Sequence, residues 1–138
     1  MRITDNVTSK LVQLEGISRT IFRRAMDWAE EDFLSEIDAV KWDWPNPTER
    51  VNGEKVDSPR DIVDMGGLRD SQARENIGEL RTVFTWTGGE GEAYALEVHN
   101  GYVHKPGNRI PARPFTRDTI SRLDKVIDNL FLQEVKNG

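Results

Sequence analysis

The chain has no cysteine and only two histidines. Disulfides and thiolate metal centres are therefore excluded, and a histidine-built metal centre has little to draw on. A reduced cytoplasm fits this composition. No apolar run approaches the roughly 18 residues that span a bilayer, and no membrane partner is expected. The opening MRITDNVTSK carries none of the apolar stretch of a secretory leader. Basic charge is in deficit: 19 Lys and Arg face 24 Asp and Glu, for a net charge of -5. That balance argues against broad nucleic-acid binding, which draws on a basic field. What remains is 138 residues, enough for one domain with a core of its own. The apolar fraction is a lean 36%, against 31% charged, yet it includes four tryptophans. Such a chain is expected to cover part of its apolar surface with a partner.

Hydrophobic spacing gives the first elements. Residues 1–15 are weakly patterned and read as a flexible arm or an edge strand. Ile17, Ile21, Ala25, Trp28, Ala29, Phe33 and Ile37 recur in steps of three and four, so a helix is expected from Ile17 to Ile37. Its arginines precede its acids, against the helix dipole, so packing must hold it. Val40, Trp42 and Trp44 alternate like one face of a strand, which Pro45 and Pro47 then end. Residues 45–66 read as a long loop with turn signals at Asn52-Gly53 and Ser58-Pro59. Residues 68–75 are a short strand or a turn. Thr82, Phe84 and Trp86 alternate, as do Tyr94, Leu96 and Val98, so a hairpin is expected with TGGEG at its turn. Residues 102–109 read as a loop. Ile120, Leu123, Ile127, Leu130 and Phe131 then mark a second amphipathic helix over 116–134, with Pro114 near its first turn and Asp118 suited to its dipole. The fold class is α+β: a small, mostly antiparallel sheet packed against an N-terminal and a C-terminal helix, with a long loop excursion, as a single domain over 1–138.

Catalytic constellations are sparse. Glu97, His99 and His104 could suggest a metal, but a turn separates His104 and no fourth ligand is spaced to help, so capping or interface roles are preferred. Asp64-Met65-Gly66 has the shape of an aspartic-protease triplet; a dyad needs two carboxylates, and a turn glycine is the plainer reading. TGGEGEA has clustered glycines but no following Lys-Ser/Thr, and its glutamates repel phosphate. No serine has an evident histidine partner. No enzyme activity, cofactor or metal is expected.

The segment RIPARPFTR, residues 109–117, stands out. Two prolines stiffen it and three arginines charge it, just before the last helix. Lys105, Arg109, Arg113 and Arg117 could meet nucleic-acid phosphates, with Tyr102 and Phe115 stacking on bases. The same arginines could instead pair with carboxylates of a neighbouring subunit. Phe115 could plug the core beneath the last helix or anchor an interface.

The stretch YALEVHNGYVHKPGNRIPARPFTRDTI resembles the signature of tailed-bacteriophage tail-completion proteins, also called tail terminators or head-tail joining proteins. In that family a strand of the form Tyr-Ala-x-x-Val-(His/Glu)-x-Gly runs into a loop, then a Pro-x-Arg-Pro-Phe/Trp hook and a C-terminal helix. Here Tyr94, Ala95, Val98, His99 and Gly101 match the first part. Pro111, Arg113, Pro114 and Phe115 match the second. Residues 64–71, DMGGLRDS, are similar to the family's Asp-Thr-Gly-x-Leu-x-x-Ser, with Met65 in place of threonine. The resemblance implies a virion protein and not an enzyme. It implies a homo-oligomeric ring, a hexamer, at the head-proximal end of the tail, assembled in the host cytoplasm. The implied partners are the tail tube protein and a neck connector, a stopper or adaptor. DNA would pass through the lumen without sequence-specific binding, which suits an acidic surface. A stopper, an adaptor, a minor capsid protein and a small nucleic-acid-binding protein are the alternatives. A closed ring needs head-to-tail interfaces, and aromatic and arginine side chains anchor these best. The interface candidates are Trp42, Trp44, Tyr102, Arg109, Arg113, Phe115 and Arg117.

Overall fold

The computed structural model describes residues 3–50, 53–63, 67–87, 92–105 and 107–137. Two long helices frame the molecule: α1, Ile3–Asp38, and α4, Arg117–Asn137. At 1.5 Å per residue they are about 54 and 31 Å long. They run antiparallel along one seam. Thr119 donates to Asp32 (2.7 Å), Arg122 reaches Glu36 (2.8 Å), and near the other end of α4 Arg24 pairs with Glu134 (3.3 Å). The expected apolar stripe of α1 is the one that packs: Ile21, Ala25, Ala29, Phe33 and Ile37 are all buried.

Among the described residues, the chain between the helices forms three antiparallel two-stranded ladders. The first joins β1, Thr48–Glu49, to β2, Lys55–Val56. After a single turn of helix, α2 (Gly67–Asp70), the second joins β3, Ala73–Gly78, to β4, Arg81–Thr85, with Arg74 opposite Phe84 and Glu75 opposite Val83. Next comes helix α3, Glu92–Asn100. The third ladder joins β5, Tyr102–Lys105, to β6, Asn108–Ile110. The architecture is thus a small α+β fold with its terminal helices packed together.

The β3–β4 hairpin lies along α1. Arg74 bridges to Asp27 (2.6 Å) and Glu30 (3.0 Å), and Gln72 donates to the Glu30 carbonyl (2.8 Å). Phe84 and Trp86 meet Phe33 edge-on, with ring centres 5.1 and 5.0 Å away. Trp86 in turn meets Phe115 at 5.4 Å. Beneath this aromatic row sits the core: Ile37, Trp42, Ile62, Leu68, Ala95, Val98 and Phe115.

Several expectations are corrected. Residues 3–15 are helical, not an arm or edge strand. Val40, Trp42 and Trp44 form no strand. Trp42 makes one isolated bridge to Arg60, with both backbone bonds at 2.8 Å, while Val40 stays exposed. The excursion at 45–66 is not all loop, since it contains β1 and β2. The partner of β4 is β3, not residues 93–98. Those residues are helical because Tyr94, Ala95 and Val98 also satisfy i, i+1, i+4 spacing, among good helix formers. Leu96, which alternation would bury, is 62% exposed. Residues 102–109 are a hairpin, with Gly107 at φ +81° supplying the turn. The TGGEG turn and the Asp64-Met65-Gly66 triplet fall largely or wholly outside the described residues.

Candidate functional site

The hook takes its shape from the end of α3. A helix leaves its last carbonyls without internal partners. Here the Glu97 carbonyl accepts the Gly101 N–H (2.8 Å) and the Val98 carbonyl accepts the Arg113 N–H (2.9 Å). Gly101 sits at φ +76°, and a Cβ there would lie 2.7 Å from the Ile110 carbonyl oxygen and 2.8 Å from the Ala112 nitrogen. Only glycine fits this crossing. The chain then turns at Phe115, whose N–H donates to the Arg113 carbonyl (2.8 Å), and enters α4. His99 ties α3 to that entry. Its Nδ1 bonds Asn100 Oδ1 and its Nε2 bonds Thr116 Oγ1, both at 2.8 Å. With Nδ1–H as donor to the amide oxygen, Nε2 accepts from the Thr116 hydroxyl. His99 also lies edge-on to Phe115.

On one side of the hook the chain leaves a cleft of about 230 Å³, lined among others by Trp44, Arg50, Arg60, Tyr94, Tyr102 and Arg113. Two guanidinium groups lie over the Trp44 ring, Arg60 at 4.8 Å and Arg113 at 4.7 Å from its centre. Arg60 is buried. Its donors go to Thr48 Oγ1 (2.6 Å) and to the carbonyls of Val56 (2.7 Å), Asp57 (3.2 Å) and Asn46 (3.4 Å). Arg50 is held by Asp61 (2.7 Å) and by the Asp61 and Val63 carbonyls, with Glu54 at 3.7 Å. Arg113 Nε is shut off from solvent and, among the described residues, has no hydrogen-bond partner. Burial pushes the Arg113 guanidinium below its ordinary pKa; Tyr94 and Tyr102 oppose this, while Arg60 and Arg50 add to it. Burial, then Arg50, lowers Arg60 as well, with Asp57 and Asp61 opposing.

The seven interface candidates divide by this geometry. Trp44, Tyr102 and Arg113 come together in the cleft. Trp42 and Phe115, 5% and 2% exposed, are packed inside the chain, and the Trp42 indole N–H donates to the Glu36 carbonyl (3.0 Å). For Phe115 the core reading is the one the fold realises. Arg109 is exposed on β6 opposite Val103, and Arg117 is exposed beside Asp118 (3.3 Å). Sequence reasoning missed Arg50, Arg60 and Tyr94. Two arginines ten residues apart in a turn-rich segment were the available signal. Glu97 and His99 stand on α3 and not on a strand, and among the described residues no three His, Asp or Glu side chains gather as metal ligands. Among the described residues no helix is long and apolar enough to cross a membrane.

Compared with family models, with curated proteins and with solved structures, the chain finds no match.

Proposed function

We propose that this chain is a structural protein of a tailed phage, a tail-completion protein. It closes into a ring at the head-proximal end of the tail and joins the tube to the neck, with DNA passing through the lumen. The Tyr94–His99 piece, a strand in that family, is part of helix α3 here; the observation that carries the reading is how the residues of the hook lock onto the end of that helix. Val98, Gly101, Arg113 and Phe115 are separated in the chain, yet each is held by one of the others or by the turn between them. The residue types that define the hook therefore define one rigid joint between α3 and α4, whatever surrounds it.

Self-association has surface to work with. On α4, Ile120, Leu132 and Val135 are each more than half exposed, and Leu96 on α3 and Val40 after α1 are too. Apolar side chains of this size are more often buried. Arg109 and Arg117 stand exposed nearby in sequence as rim charges.

The test is absolute mass by light scattering over a concentration series, alone and with preassembled tail tubes. A discrete species near six chains of 15.8 kDa each, or capture at one end of the tube, is expected. A strict monomer in both conditions, with no tube binding, overturns the ring. The second reading, a small nucleic-acid-binding protein, would give an affinity for DNA that falls steeply with salt.

A further inference from the structure

We propose that the cleft around Trp44 is an oxyanion site, built to receive one carboxylate or phosphate group. The argument begins with unmet charge. Three guanidinium groups line the cleft against two carboxylates, Glu49 and Asp61, and Asp61 is committed to Arg50. Among the described residues, neither Arg60 nor Arg113 makes an ion pair. Arg60 spends its donors on carbonyls and a hydroxyl, and the charges of Asp57 and Asp61 act on it without an ion pair among the described residues. Arg113 has a buried donor with no acceptor among the described residues. Such a group is costly where nothing answers it, and an orphaned buried donor in a native fold calls for a reason.

Shape and walls agree with charge. A carboxylate or phosphate matches the planar fork of a guanidinium, and such bonds are roughly twice as strong as neutral ones. Each guanidinium group rests against the Trp44 ring, so each is placed before any ligand arrives. At about 230 Å³ the space suits one side chain or one small anion, below the roughly 300 Å³ at which drug-sized ligand pockets begin. Burial first, and then the charges of Arg60 and Arg50, work against the Arg113 cation, and an anion beside it would relieve both. The same group could come from an acidic side chain of a second polypeptide or from a free anion. The proposal stands apart from the ring reading, since the site is complete within one chain.

The experiment is an NMR titration of the full-length, 15N-labelled chain, following the Arg Nε–H and Trp indole signals. Sodium acetate and sodium phosphate are added against sodium chloride at matched ionic strength. The signals of Arg113, Arg60 and Trp44 are expected to shift saturably with acetate or phosphate, and that of the exposed Arg109 only as in chloride. Arg113→Met should weaken this binding at least tenfold while the amide spectrum stays folded. A dilution series without added anion separates the sources. Shifts at Arg113 that follow chain concentration, and are displaced by acetate, assign the carboxylate to a second copy. Shifts that ignore concentration assign a free anion. No saturable change at Arg113 with either anion and none on dilution, or an equal change at Arg109, overturns the site.

Discussion

At the seam between α1 and α4, Arg122 bridges Asp32 and Glu36, and Lys41 reaches Glu36 and Asp118. Around Trp44, Arg60 and Arg113 meet a ring, carbonyls and one another. In the first cluster every cation has a carboxylate, and the ion pairs raise the Arg122 and Lys41 pKa. In the second, burial and like charge lower both arginines. The same side chain is thus used in two senses. The seam satisfies charge within the chain and fastens two helices. The cleft holds charge ready and leaves part of it unanswered.

The largest effect should come where the two regions share a support. In the chain Phe115 lies between Arg113 of the cleft and Asp118 of the seam, 2% exposed and packed on Trp86 and His99. Phe115→Ala should cost about 3–5 kcal/mol in urea denaturation, loosening both clusters together. Gly101→Ala should cost about 2–3 kcal/mol, because a strained backbone is joined by two backbone contacts that cannot yield. Gly107→Ala makes the control: its φ is as unusual, but nothing lies within 4 Å, so about 1 kcal/mol is expected.

Single-charge substitutions test the contrast itself. Glu36 is buried and serves both Arg122 and Lys41, each partly solvated. Glu36→Gln should cost about 1–2 kcal/mol, between the values for exposed and buried pairs. Arg113→Met removes a charge with no ion pair among the described residues, so thermal unfolding should change by no more than about 1 kcal/mol, in either direction. A large loss there would mean that Arg113 is answered within its own chain, and the contrast would fail.

The smallest effect is in pH. Bonds from Lys41 and then Arg117 hold Asp118 below its ordinary value of 3.8. Its contribution to stability is complete above the unfolded pKa and disappears as pH falls through the lower folded one. Asp118→Asn should therefore flatten the acid limb of the stability curve slightly below pH 4. Lys41 behaves oppositely. Burial lowers it, but bonds to Glu36 and Asp118 outweigh burial and raise it above 10.5. Its contribution holds below that value and fades as pH rises through the folded pKa, so the seam should loosen at strongly alkaline pH.

The two regions also differ in how plainly the residues announce them. The framing helices were legible because Ile21, Ala25, Phe33 and Ile37, like Leu123, Ile127 and Leu130, repeat at helical spacing over many turns. The middle was not. Tyr94, Leu96 and Val98 fit a strand by alternation, while Tyr94 with Val98 fits a helix equally well; only the exposure of Leu96 separates the two. In β3, ARENIG offers no alternating apolar face, because Arg74 and pairing with β4 fasten that strand in place of a buried stripe. The hook was visible from its prolines and arginines. Its cleft was not, since Arg50 and Arg60 gain their meaning only when folding sets them beside Arg113. Burial of charge is a tertiary fact with no local pattern.

The β5–β6 hairpin is clamped at its root, by Gly101 to Glu97 and by Arg113 to Val98, and open at its tip, where a Cβ on Gly107 would meet nothing. Length added at that tip should not reach the joint below. The hairpin is therefore a place where relatives could diverge freely, and where an affinity tag or a fluorophore can be inserted to follow the protein without disturbing the fold.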